Sequence, residues 1–175
     1  MRAVLRAALA ACALAMSVPI AATATAETAS GTAHVRHERG QVLNDLKVTP
    51  GEVFKVGTAT ICRSGYASSV RHVTVAEKRQ VYAEYGLSYP QPSGYYEADH
   101  LISLELGGDN SVKNLWPERD DHPGGYLNSK DRLENRLHRL VCDGTLPLKT
   151  AQHAIATDWV QAYHRYVGGW PKAVP

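Results

Sequence analysis

The clearest hydrophobic periodicity lies at the C-terminal end of the chain. After Pro147, the residues Leu148, Ala151, Ile155, Trp159, Ala162, Tyr163 and Tyr166 recur at helical spacing until Gly168-Gly169, which predicts an amphipathic helix whose aromatic residues belong to the core. A second such face, Leu133, Leu137, Leu140 and Val141, predicts a helix from Lys130 to Cys142, capped by Asn128 or Ser129 and stopped by Gly144. Thr74 with Glu77 forms a capping-box pattern ahead of Val75, Lys78, Val81, Tyr82 and Tyr85, so a third helix runs to Gly86. Between these elements the pattern changes. Val53 to Val73 is rich in Val, Thr, Ile and Tyr, broken by Gly57 and Ser64-Gly65, and reads as a short β meander. Gln41 to Leu46 reads as a short helix or turn, and Leu87 to Gly94, with Pro90 and Pro92, as a loop. Tyr95 to Leu106 begins as a strand, Gly107 to Asn110 is a turn, and Val112 to Trp116 returns as a partner strand that Pro117 ends. His122 to Gly125 is a further turn.

The N-terminus stands outside this pattern. Arg2 and Arg6 precede an apolar run from Ala7 to Ala22, and Ala24-Thr25-Ala26 is a small-x-small cleavage site. Residues 1–26 therefore read as a secretory signal peptide. A membrane anchor is disfavoured, because the run is shorter than the ~20 residues a bilayer requires and Pro19 interrupts it. Lipoprotein processing at Leu9-Ala10-Ala11-Cys12 also ranks low, since only two residues separate Arg6 from that tetrapeptide and most of the apolar run follows it. Residues 27–40 carry His34, Arg36, His37 and Arg39 without apolar periodicity and read as a flexible leader. What remains, residues 41–175, is one domain within a mature chain of about 150 residues. The product is expected outside the cytoplasm, in the periplasm or beyond the cell, with no membrane association after cleavage.

Removing the signal alters two counts. Without Arg2 and Arg6 the 19 Lys+Arg fall to 17, equal to the 17 Asp+Glu. Attraction to a polyanion must then come from local patches rather than net charge. Of the three cysteines, Cys62 and Cys142 remain. Export favours a disulfide between them, which closes a long loop and contributes roughly 4 kcal/mol by loop-closure entropy. Two cysteines do not make a four-cysteine zinc knuckle.

Candidate chemistry is concentrated between Tyr95 and Lys130. The order is a strand bearing Asp99-His100, a glycine turn, a strand bearing Asn114-Leu115, a loop, and a helix bearing Lys130. Phosphodiester hydrolysis needs an activated water, a cation to stabilise phosphate charge, and fixed geometry for both. Adjacent residues at a strand end can divide those tasks. Asp99 is a hard oxygen ligand, and His100, on the other face of the strand, has a pKa suited to a general base.

These residues resemble the HNH nuclease superfamily, and within it exported bacterial proteins with the pattern E-x-DH-L-I-x-L-E-L-G-G … N-L-W-P-E … K-D-x-L-E-N-x-L-H. The matching positions are Glu97, Asp99 to Ile102, Leu104 to Gly108, Asn114 to Glu118, Lys130, Asp131, Leu133 to Asn135, Leu137 and His138. Similarity extends to Cys62 to Tyr66 and Ala154 to Trp159, so it covers most of the mature chain. The resemblance implies an α+β fold: a small single domain with a ββα-metal (His-Me finger, HNH-like) unit, the N-terminal meander and flanking amphipathic helices. It implies that His100 is the base, that Asp99 binds one divalent metal ion, and that Asn114 holds the loop bearing His100. Many members have a histidine about one helical turn before the lysine, where this chain has Leu127. Asn128 is the preferred remaining ligand and His122 its rival. Asp99 with Asn128 suits Mg²⁺ or Mn²⁺, whereas His122 favours Zn²⁺.

Other side chains have plainer readings. Lys130 and Arg132 are phosphate-contact candidates, but with Arg136, His138 and Arg139 they share a helix with Asp131 and Glu134, so a solvated ion-paired face is as good an account. Glu97 can orient a metal-bound water or simply face solvent. Glu105 and Glu118 are taken as structural, and Trp116 as a core anchor. The expected activity is metal-dependent cleavage of DNA or RNA with little sequence preference, because one small unit offers few groups for reading bases. The alternative from another class is a catalytically degenerate scaffold serving as an envelope binding module. A hydrolase of cell-wall or peptide substrates finds no H-E-x-x-H helix or nucleophile elbow. A protein partner or inhibitor is left open.

Overall fold

The computed structural model describes residues 36–122 and 127–172. The predicted signal peptide, most of the predicted leader and the tip of the turn after His122 lie outside the described residues. Within them the fold is mixed α+β, with two small antiparallel sheets and five α-helices.

The first sheet pairs β1 (Arg36–Glu38) with β2 (Gln41–Leu43). Arg39 and Gly40 join the strands with φ of 48° and 77°, the pair of positive values that a two-residue hairpin turn matching strand twist requires. The end of the predicted leader thus joins a hairpin, and Gln41 to Leu43 is strand rather than the helix or turn expected. Burial explains the change: Gln41, Val42 and Leu43 are all covered, and the indole N–H of Trp159 donates to the Val42 carbonyl at 3.1 Å.

The predicted meander between Val53 and Val73 is absent. Two short helices stand there, α1 (Thr58–Ile61) and α2 (Tyr66–Val70), and only Val53 bridges to Gly108. Strand propensity reflects fit to a half-buried pleated surface, and no partner strand supplies one here. Helical turns instead bury Ile61 and Tyr66 and carry Cys62 to Cys142 at the end of α4 (Ser129–Cys142). That pair forms a disulfide with Cα atoms 5.7 Å apart.

Helix α3 (Val75–Glu84) has the capping box its sequence predicts. The Glu77 N–H donates to Thr74 Oγ1 at 3.2 Å, and the Thr74 N–H donates to Glu77 Oε2 at 2.6 Å. Helix α5 (Leu148–Tyr166) follows Pro147 and packs on α4; Ala151, Ile155, Trp159, Ala162 and Tyr163 are buried against Leu133, Leu137 and Val141. The aromatics of α5 are core, as the pattern indicates. No helix among the described residues is long and apolar enough to cross a membrane.

The second sheet carries the candidate site. It pairs β3 (Tyr96–His100) with β4 (Leu115–Arg119), placing Asp99 opposite Trp116 and His100 opposite Leu115. The first strand stops at His100 rather than Leu106, and Leu104–Leu106 forms a 3₁₀ turn. The return strand starts at Leu115 and passes through Pro117 instead of ending there. A two-stranded sheet leaves one edge of each strand free, so a residue without an N–H is tolerated. Trp116 is fully buried.

Candidate active site

The loop after His100 folds back on itself so closely that only glycine fits at its end. A Cβ on Gly108 would lie 1.7 Å from the Ile102 carbonyl oxygen and 2.8 Å from Asn114 Nδ2. Asn114 braces this fold. Its Oδ1 accepts from Ile102 N at 3.0 Å, and its Nδ2 donates to the Ile102 and Asp109 carbonyls at 3.0 and 2.9 Å. The Leu101 N–H donates to the Asn114 carbonyl at 2.7 Å, which locks the residue after His100 to the start of β4.

Strand alternation sends Asp99 and His100 to opposite sides. His100 is 1% exposed. Its Nε2 lies 3.1 Å from Asn110 Oδ1, and its Nδ1 is enclosed without a hydrogen-bond partner among the described residues. Burial holds the imidazole below its ordinary pKa, against the opposing effects of the Asn110 hydrogen bond and the Asp99 charge.

Asp99 faces a cavity of about 510 Å³, lined also by Glu97, Asp120, Asn128, Asp131 and Arg71. Burial pushes its carboxyl up, but the Lys130 ammonium at 2.7 Å and a hydrogen bond from Glu118 outweigh that and hold it low. Lys130 itself is fully buried. It contacts Asp99, Glu118 at 3.4 Å, Glu134, and the His100 carbonyl at 2.7 Å. This is not the phosphate-contacting position the sequence suggested. Burial alone would lower the pKa of the ammonium, and the neighbouring carboxyl groups, Asp99 first, reverse that. Burial raises Glu118 and Glu134, with Lys130 opposing in each case. The carboxyl groups around one ammonium thus divide: Asp99 keeps its charge while the two glutamates are driven toward the protonated form.

Asn128 caps α4 and lines the same cavity, donating from Nδ2 to Glu97 Oε1 at 3.0 Å. Its N–H donates to Asp131 Oδ2 at 2.7 Å. Glu97 and Asp131 are both raised, by desolvation first and by the Asp99 charge among other carboxylates, although Glu97 keeps an exposed face and the Asn128 N–H bond pulls Asp131 down. His122 is not among the residues lining the cavity; its N–H bonds Asp120, and its ring lies 3.4 Å from Lys172 Nζ. Arg132 is exposed on α4 beside Arg136 and Arg139, where the three arginines line a second depression of about 580 Å³.

Sequence reasoning missed Arg71 and Asn110, and read Glu118 only as structural. Nothing in the local pattern marks Arg71, which enters the cavity only because α2 ends beside it. Glu118 alternates with Trp116 along β4, a hint that it lies beside the core, but its ion pair with Lys130 depends on tertiary packing.

For a divalent cation, the cavity offers oxygen donors: Asp99, Glu97, Asp131 and the Asn128 amide. By donor type such a set would suit Mg²⁺ or Mn²⁺ rather than Zn²⁺, since no imidazole or thiolate joins it, but its three carboxylates do not all bring ligand atoms within 4.8 Å of one another. Elsewhere, Cys62, His138 and Cys142 are the one trio of ligating side chains among the described residues with donor atoms within 4.8 Å of one another. Those sulfurs are joined in the disulfide, so metal binding there requires the reduced form. No family model, curated protein or solved structure matches this chain.

Proposed function

We propose that the chain is an exported endonuclease of the HNH type, in which β3, β4 and α4 serve as a ββα-metal unit that hydrolyses phosphodiester bonds of DNA or RNA. One observation carries this reading. Asp99 opens onto a cavity shared with Asn128 at the start of α4, while the adjacent His100 is held behind it with Nδ1 unpartnered.

In this mechanism His100 Nδ1 takes a proton from a water as the water oxygen attacks phosphorus and the bond to the leaving sugar oxygen breaks. Nδ1 is enclosed, so substrate or metal binding must admit that water. Asn114 holds the backbone after His100 and does not react. Asp99 and Asn128 would hold a divalent cation, which supplies positive charge to the phosphate when bound. Arg71 adds a guanidinium to a cavity whose lining includes Glu97, Asp99, Asp120 and Asp131, where it would meet a phosphate oxygen. The deciding experiment is cleavage of plasmid DNA and of RNA across Mg²⁺, Mn²⁺ and Zn²⁺, wild type beside His100→Ala. Cleavage by wild type alone is expected; equal cleavage by both proteins, or none with any metal, overturns the proposal.

A second reading is favoured by the Asp99–Lys130 pair, because a buried ammonium already neutralises the proposed metal ligand. On that reading the domain is a catalytically inactive binding module of the cell envelope. Calorimetry separates the two: tight Mg²⁺ or Mn²⁺ binding that disappears in Asp99→Ala excludes the module that needs no metal.

A further inference from the structure

Asn110 lies in the loop between β3 and β4, two residues past the tight approach of Gly108 to Ile102. Its side chain meets three groups. Nδ2 donates to the Val70 carbonyl at 2.8 Å, and Oδ1 accepts the His72 N–H at 3.1 Å while lying 3.1 Å from His100 Nε2. The first two partners leave no freedom in the orientation of the amide. A carbonyl only accepts and a backbone N–H only donates, so the NH₂ must face Val70 and the oxygen must face His72 and His100. That oxygen cannot donate. A neutral His100 bonded to it must therefore carry its hydrogen on Nε2, which leaves the lone pair on Nδ1.

We infer that Asn110 is a positioning residue: it fixes His100 in the Nε2–H form, so that Nδ1 is the atom free to take a proton, and it ties the segment bearing Arg71 to the same imidazole. The catalytic half of this inference rests on the nuclease reading. The tautomer is a property of the fold and stands apart from it.

The linkage has a structural logic. Val70 and His72 flank Arg71, and both of their backbone groups end on one amide. Arg71 in turn lines the cavity that Asp99 faces. One side chain thus sets the ring that acts as base and anchors the backbone that aims the guanidinium. Asn114 has a different task, because its three bonds go to backbone groups of Ile102 and Asp109 and none to the imidazole.

The test uses ¹⁵N-histidine-labelled mature protein and long-range ¹H–¹⁵N correlation at a pH where His100 is neutral, with His100→Gln identifying its signals. Wild type is expected to show a protonated Nε2 and an unprotonated Nδ1. Asn110→Asp keeps an acceptor for Nε2–H and should keep this form; Asn110→Ala should lose it. In cleavage assays Asn110→Ala should lower kcat roughly 10- to 100-fold with KM little changed, and Asn110→Asp should recover part of that loss, because it keeps the acceptor for Nε2–H but cannot donate to the Val70 carbonyl. A wild-type His100 protonated on Nδ1 overturns the inference, as does an Asn110→Ala protein with unchanged tautomer and kcat. If Asn110→Ala does not fold, the wild-type spectrum alone decides the tautomer, and kcat of Asn110→Asp against wild type decides the catalytic half. A wild type that cleaves nothing with any metal removes the catalytic half together with the nuclease reading, while the spectrum still decides whether Asn110 sets the ring.

Discussion

Lys130 Nζ lies 2.7 Å from Asp99 Oδ2, and the lysine side chain is fully buried. One ammonium therefore holds the start of α4 against the end of β3 and sets which of the surrounding carboxyl groups stays charged. Removing it leaves Asp99 unpaired beside Glu118 and Glu134. Breaking a buried pair by deleting one partner costs about 3–5 kcal/mol, so Lys130→Met should lower unfolding stability by about that amount in urea titrations. A change under about 1 kcal/mol contradicts the buried-pair account.

Asn114 makes three hydrogen bonds to the loop that follows His100. Asn114→Ala strands two carbonyls and an N–H in a buried setting, where each unsatisfied group costs about 1–3 kcal/mol. A loss of about 3 kcal/mol is expected, because the loop relaxes in part. Asn114→Asp retains the acceptor for Ile102 N but offers the two carbonyls a carboxylate. Its stability should not exceed that of the alanine variant by more than about 1 kcal/mol, which paired urea titrations measure directly.

Gly108 is required by space. A methyl group there would overlap the Ile102 carbonyl, which is backbone and cannot rotate away. Gly108→Ala should fail to form the loop and give a protein with lost near-UV circular dichroism and lowered Tm. An unchanged Tm excludes the close approach.

How much of this was legible before the structure depends on the kind of interaction. Helices α3, α4 and α5 follow from caps and apolar spacing, both of which are local. The Asp99-His100 hairpin was also readable, since alternation and the Gly107-Gly108 turn specify it within a short stretch. The meander failed because Val, Thr and Ile between Val53 and Val73 have strand propensity but no partner strand, and Ile61 and Tyr66 serve the core from helical turns instead. The partners of the site were least visible. Arg71, Asn110 and Glu118 reach it through contacts distant in sequence, and Lys130, polar and near a helix start, reads as a surface cation until Glu134 and Asp99 are seen to enclose it.

His100 is held below the ordinary histidine value of 6.5 chiefly by burial. In the unfolded chain the ring takes up a proton near pH 6.5, whereas in the fold it resists until a lower pH. Between those two values the unfolded state binds more protons, so stability falls as pH drops through and below 6.5 and is unaffected by this group above it. Urea titrations from pH 8 to pH 5 should show that loss in wild type, and its contribution should vanish in His100→Gln, which cannot titrate. The same depression keeps the base unprotonated in mildly acidic solution, so the acid limb of the cleavage profile should lie below pH 6.5. A bound divalent cation beside Asp99 would push it lower still. An acid limb above 6.5 in the wild type would mean that a group other than His100 takes the proton.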